Sequence, residues 1–399
     1  MNLVMTIMVR DEADIIGAMI DYHLSQGVDT IIVTDNGSVD GTTQILESFS
    51  ERGLVDLRHD PRHRKQQSEV VTQMARDAYT TYAADWVINA DADEFFVPLD
   101  RTLSLHDIFE AIPKSLQSFQ VPVVNLTGPP ALKGSGLQRL VYRDQRDSKA
   151  LSDIGIRAHP TPDAIHVGDP DISVIQGNHL VSLESKGSPD PGLGLEVMHL
   201  PWRSWSQYKH KVEVSGRAYT SNPELSPSPN HHGMRDYARL KAGVLLPFYL
   251  VRHPTSEDLN TGVAKGDLVV DTFLSDRLNS PVKDVAFDEE VIAAHVEYAG
   301  TLRADSDARV ERAREPLVRE IGSLKTELVV REERFNQMND DLKATRDELL
   351  DCRSRSASRK AELEEQLALL RRENEAFRDR RIVRFVDAFG RMLARGKSS

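Results

Sequence analysis

Asp91 and Asp93 stand one residue apart, directly after the apolar run Trp86-Val87-Ile88-Asn89-Ala90. Two carboxylates at that spacing, on the loop that leaves a strand, can hold a hard divalent ion such as magnesium or manganese, which prefers carboxylate and phosphate oxygens. The Asp-x-Asp pattern alone says little, since Asp169-Pro170-Asp171 and Asp305-Ser306-Asp307 repeat it. Position sets the first copy apart, because open parallel sheets bind ligands outside the carboxyl ends of their strands. Asp35 ends a second apolar run and opens Asp35-Asn36-Gly37-Ser38-Val39-Asp40-Gly41-Thr42. A carboxylate there either accepts a hydrogen bond from a base N–H or a ribose hydroxyl, or closes an Asx turn. The first apolar run leads into Arg10-Asp11-Glu12-Ala13-Asp14. Neither Gly-x-Gly-x-x-Gly nor Gly-Lys-Ser/Thr occurs there, so nucleotide phosphates would need a metal and basic side chains from elsewhere.

These groups need a scaffold, and the first hundred residues supply its pattern. Residues 3–9, 30–34, 54–57 and 86–90 read as strands. Between them lie three helical patterns. The first places Ile16, Met19, Ile20, His23 and Leu24 on one face and stops at Gly27; the others span 40–49 and 66–82. His23 on that apolar face is read as a core histidine. Strands spaced by single helices predict an α/β fold with a parallel sheet and right-handed crossovers. From residue 111 to about 255 the pattern turns mixed, with short strands and with loops at 187–194 and 222–233. Residues 256–304 read as a packed helical connection.

A third composition begins at Pro316. Steps of four and three from Leu317 through Ile321, Leu324, Leu328, Phe335 and Leu342 to Leu370 keep a mostly apolar seam, which predicts a coiled coil over 305–371 and a homo-oligomer. Residues 372–399 are basic, with Ile382, Phe385, Val386, Phe389, Met392 and Leu393 at helical spacing. Such a tail either lies on an anionic membrane or docks on protein. The expected domains are thus 1–110 and 111–255, two halves of one catalytic domain, then 256–304, 305–371 and 372–399.

Composition narrows the function. The 399 residues carry 50 Lys and Arg against 62 Asp and Glu, a net charge of -12. That balance argues against a nucleic-acid partner, which needs a basic face. One cysteine, Cys352, excludes an intrachain disulfide and a cysteine-rich zinc site, and suits a reducing compartment. The first ten residues lack the basic leader and cleavage site of an export signal. The apolar stretch 244–251 is far short of the ~20 residues that cross a bilayer. The expectation is a cytoplasmic protein, with peripheral contact on the inner face of the membrane where its tail binds lipid.

Four segments in order carry a specific resemblance: Val9-Arg10-Asp11-Glu12-Ala13-Asp14-Ile15-Ile16, His23-Leu24-Ser25-Gln26-Gly27-Val28, Asp35 to Thr42, and Trp86 to Phe95. With His199-Leu200-Pro201-Trp202-Arg203-Ser204 and the following Gln207, Lys211 and Val212, they resemble the bacterial family 2-like glycosyltransferases over residues 1–216. Position 11 departs from the usual Asn. The resemblance implies a GT-A fold, a nucleotide-diphosphate sugar donor (a UDP-sugar foremost) and a divalent metal, manganese or magnesium. It implies that Glu12 lies at the substrate, that Asp35 contacts base or ribose, that Asp91 approaches ribose and metal, and that Asp93 coordinates the metal with His199 as a further ligand. His199 reads equally as a buried strand histidine. Arg203 and Lys211 would bind diphosphate, or else lie on a solvated helix face; Lys149 and His179 are weaker candidates of the same kind. Transfer with inversion would need a carboxylate base, for which Glu94, Asp153 and Glu196 are available. The acceptor, whether glycan, lipid-linked or protein, is open. A nucleotidyltransferase and a non-enzymatic assembly module on a degenerate sugar-nucleotide domain are the alternatives.

Overall fold

Long apolar runs become strands covered on both faces. In the computed structural model, β1 (Leu3–Val9) lies between β2 (Thr30–Asp35) and β4 (Trp86–Ala90), parallel to both, and β3 (Val55–His59) lies parallel outside β2. Side chains alternate across this sheet. Leu3, Met5, Ile7 and Val9 face one core with α1 (Ile16–Ser25) and α2 (Thr42–Glu51), while Val4 faces a second core with α3 (Gln67–Thr80). The structure describes residues 1–62, 67–156, 158–175, 177–220, 232–302 and 381–395, with isolated helical residues from 324 to 346. The chain divides into two units, Met1–Ala304 and Asp305–Ser399.

After β5 (Glu94–Pro98) and α4 (Leu105–Ala111), the chain runs through β6 (Ser118–Val121), β7 (Val123–Thr127), β8 (Ala131–Lys133), β9 (Tyr142–Asp144), α5 (Ser148–Asp153), β10 (Asp163–Val167) and β11 (Leu195–His199). Strand β10 enters the first sheet antiparallel, between β4 and β6, giving the order β3-β2-β1-β4-β10-β6. Four parallel strands match the expectation, and the antiparallel member is an addition to it. Strand β11 pairs antiparallel with β5 and parallel with β7 in a second sheet.

Three helices then follow: α6 (Trp205–Thr220), α7 (His232–Lys241) and α8 (Leu245–Leu250). They add helices to a region read from the sequence as mixed, with short strands and loops. Helices α6 and α7 meet at Gly216, where a Cβ would come 2.1 Å from the Tyr237 ring, so only glycine fits. Residues 256–304 hold α9 (Ser256–Lys265) and also β12 (Leu268–Val270) and β13 (Val285–Ala286). The helical connection expected there therefore also supplies strands, because β12 completes the second sheet beside β9 and β13 pairs with β8. Nearly all of the expected coiled coil, and of the loop at 222–233, lies outside the described residues. Among described seam positions, Leu324, Leu328, Met338 and Leu342 are exposed.

His23 is fully buried, as its place on an apolar face predicts. Its Nδ1 donates to Met19 O at 2.9 Å, and Phe96 N donates to its Nε2 at 3.2 Å, so the neutral ring joins α1 to β5. Burial pushes His23, His166 and His253 down to about 4 from 6.5. A depressed histidine stabilises the fold fully above its unfolded pKa, and that contribution is lost as pH falls from 6.5 towards 4. Each shift corresponds to at most about 3 kcal/mol. Denaturant unfolding of the full chain is expected to weaken steeply from pH 6.5 to pH 5. His23→Gln should reduce the slope by about one proton; an unchanged slope would contradict the assignment.

Candidate active site

The loops that leave β1 and β2 are stitched together. Glu12 N donates to Thr42 Oγ1 (2.8 Å), Ala13 N to Asp40 Oδ2 (3.0 Å), Val39 N to Asp11 Oδ1 (2.7 Å) and Asp11 N to Ser38 Oγ (3.0 Å). Asp11 has a left-handed backbone, φ 55°. That turn directs the chain into α1, whose first amides bond Glu12 O. Asp35 is buried; its Oδ1 accepts from Ser38 N (3.0 Å) and its Oδ2 from Thr43 Oγ1 (2.5 Å). The Asx turn is therefore present. A carboxylate has further lone pairs for a ligand.

Asp91 and Asp93 lie on the tight turn from β4 to β5. Glu94 closes it, its Oε2 accepting from Asp91 N at 2.9 Å and its own N donating to Asp91 O at 3.2 Å. Gln67 and Asn178 both donate to Asp91 Oδ1. Burial, then the charges of Asp91 and Asp163, holds Glu94 well above the usual carboxylate range. Burial and Asp93 raise Asp91 as well. Asp93 goes the other way. Burial would raise it, but Lys211, His199 and Arg203 outweigh burial and hold its carboxyl well below its ordinary value.

The segment after β11 provides the arginine and the lysine. Arg203 is fully buried. Its Nε and Nη2 grip Asp14 at 2.8 and 3.0 Å, its Nη1 reaches Asp93 Oδ2 at 3.2 Å, and Nη2 also donates to Glu12. On α6, one turn on, Gln207 Nε2 donates to Glu12 Oε2 (3.2 Å). One turn further, Lys211 Nζ donates to Asp93 Oδ2 (2.8 Å) and lies 3.8 Å from Glu12 Oε1. His210 Nε2 bonds Asp11 Oδ2 at 2.7 Å. Burial overcomes Arg203 and Lys211 at Glu12 and lifts it to about 7. A cleft of about 250 Å³ opens here, with Arg10, Glu12, Asn36, Gln67, His210 and Lys211 among its walls.

His199 ends β11. Its Nδ1 lies 2.9 Å from Asn125 Oδ1, and its Nε2 faces Asp93 Oδ1 at 3.8 Å. An amide oxygen on Nδ1 selects the tautomer whose Nε2 carries a lone pair, as a metal ligand requires. Among the described residues, no three His, Cys, Asp or Glu side chains already form a metal cage. Carboxylate oxygens suit magnesium and manganese, whereas a neutral imidazole suits transition metals, so of the two ions expected the Asp93–His199 pair, with Asp91 on the same turn, fits manganese better than magnesium.

The structure thus gathers Glu12, Asp93, His199, Arg203 and Lys211, with Asp91 on the turn beside them and Asp35 at the neighbouring strand end. It does not bring Lys149 to them. That residue is exposed on α5 and pairs with Asp153 at 2.8 Å, so neither Lys149 nor Asp153 reaches the cluster. Glu196 is held by Arg101 and Arg143, both at 2.5 Å. His179 pairs with Asp163 at 3.0 Å. Arg203 sits on no solvated helix face: the three carboxylates enclose it. Asp14, Asn125, Gln207 and His210 are given no role by the sequence reading. Gln207 had a signal, since it lies midway between Arg203 and Lys211 at helical spacing.

A family model described as glycosyltransferase family 92 matches residues 4–127, β1 through β7. The sequence resemblance had named family 2-like enzymes instead. No curated protein matches. Among solved structures, S. aureus TarS 1-349 in complex with UDP is similar at 11% identity, over 67% of this chain and 80% of that one, with a TM-score of 0.31. Glucosyl-3-phosphoglycerate synthase from Mycobacterium tuberculosis, in complex with Mn2+, UDP and glucosyl-3-phosphoglycerate, is similar at 14% identity, over 64% and 81% of the chains, with a TM-score of 0.25.

The two cations should separate in stability tests. Arg203→Met strands three carboxylates and is expected to cost about 3–5 kcal/mol. Lys211→Met, at a half-exposed ammonium, should cost under about 1 kcal/mol. Urea unfolding at pH 7 checks both, with Lys149→Ala as the silent comparison.

Proposed function

We propose that the chain is a metal-dependent glycosyltransferase that moves a sugar from a nucleotide-diphosphate donor, a UDP-sugar foremost, to an acceptor hydroxyl with inversion. One observation carries the reading. Glu12 at the exit of β1 and Asp93 on the β4–β5 turn, both within the stretch that the glycosyltransferase family model matches, are joined by the half-exposed Lys211, which lines a cleft together with Glu12.

In this reading Asp35 binds base or ribose, and Asp91 meets ribose. Asp93 and His199 hold a divalent ion with Asp91 on the same turn. When bound, that ion supplies positive charge beside the diphosphate. Lys211 is the cation of this cluster on the cleft wall, where it stabilises charge growing on the departing diphosphate. Arg203 works from behind, fixing the carboxylates of Asp93, Glu12 and Asp14 without touching substrate. Of the three carboxylates offered as base, Glu94 alone lies in the cluster, and it braces the Asp91 turn.

Calorimetry with UDP and manganese tests the proposal. Asp93→Asn should abolish manganese-dependent UDP binding, while Asp171→Ala, in an exposed Asp-x-Asp pair, should leave it unchanged. Equal behaviour of the two would sink the metal assignment. Asn125→Ala, which frees the His199 ring, is expected to weaken manganese binding about 10–100-fold. With an active donor in hand, Lys211→Ala should lower kcat more than it raises KM.

A further inference from the structure

The helix Arg381–Arg395 belongs to the second unit and is polarised around its axis. Apolar residues recur at 382, 385, 386, 389, 392 and 393 in the sequence, a stripe with helical period. Phe385 and Met392 are 70% and 62% exposed, Val386 is exposed too, and the Phe385 and Phe389 rings stack at 6.2 Å. Arg384, Arg391 and Arg395 fall opposite that stripe in helical register.

A continued coiled-coil seam does not account for the stripe. Steps of three and four onward from Leu370 land on Glu373, Phe377, Arg380, Arg384, Asp387 and Arg391. The register that suits the upstream seam therefore turns charges inward here, and the apolar stripe lies on another side. A membrane span is also excluded for it: at 15 residues the helix is about 22 Å long, and no described helix is long and apolar enough to cross a bilayer. The charge is distinctive. Residues 371–399 hold nine Lys and Arg against four Asp and Glu, in a chain of net charge -12.

We propose that this helix docks in the plane of an anionic lipid surface, with Phe385, Val386, Phe389 and Met392 among the acyl chains and the arginines at the headgroups. Apolar burial provides the hold, and the arginines select negative lipid. The surface is independent of the catalytic reading and acts on where the protein sits.

Flotation of the full chain with phosphatidylglycerol vesicles, and with phosphatidylcholine vesicles, tests it. Binding is expected to the first and not to the second, and to fall with added salt. The double variant Phe385→Ser, Phe389→Ser should reduce binding more than tenfold. Arg384→Gln and Arg391→Gln should each reduce it about fivefold. Equal binding to both lipids, no binding to either, or binding that survives the double variant would overturn the proposal. So would an oligomer that the double variant dissociates while vesicles are ignored, since the face would then be an interface between copies.

Discussion

One guanidinium ties the early part of the catalytic unit to the late part. Arg203 reaches back 191 residues to Glu12, 189 to Asp14 and 110 to Asp93. The β1 exit, the β4–β5 turn and the β11–α6 connection are thereby fixed at one point. A buried arginine is tolerated only with its donors satisfied and its charge balanced. The carboxylates share that dependence, because each would otherwise be a desolvated anion. The local bonds between Asp91 and Glu94 shape the acidic turn, and this mutual requirement anchors its Asp93 carboxylate.

Behind that constraint, burial and neighbouring charges set each carboxylate differently. Burial pushes Glu94 and Asp91 towards the neutral form, helped by the charge of Asp91 at Glu94 and of Asp93 at Asp91, and Glu12 is lifted to about 7. Asp93 is held firmly ionised, between a buried arginine and a half-exposed lysine. The two cations share Asp93 Oδ2 yet differ in access. Arg203 has no route to solvent, while Lys211 is half-exposed on the cleft wall. A fully buried cation and a half-exposed one thus meet at one carboxylate oxygen.

The parallel strands were legible because strands buried on both faces must be apolar almost throughout, as Leu3 to Val9 and Trp86 to Ala90 are. The acidic positions were legible for a related reason: a charge placed just after such a run falls at the sheet edge, where ligands bind. Strand β10 was not. Asp163-Ala164-Ile165-His166-Val167 carries two buried polar residues, and its antiparallel place is set by neighbours far away in sequence. The role of Arg203 was hidden likewise. Its residue type signals exposure, and its partners share no local spacing with it. Lys149 misled through the opposite fault: a lone basic residue offers no test of position until the helix that carries it is placed.

The same long reach sets an order on synthesis. Glu12, Asp14 and Asp93 leave the ribosome well before Arg203, and β10 is made in the interval. Domains begin folding from the end made first. Strands β1 to β4 can pair and bury their apolar faces at that stage, but Glu12, Asp14 and Asp93 still lack the guanidinium that balances them in the finished fold. Closure waits for β11, which slots between β5 and β7 and delivers Arg203 with it. A nascent chain stopped before residue 203 would carry an assembled sheet with an open, negatively charged mouth, so the site is the last part of this sheet to set.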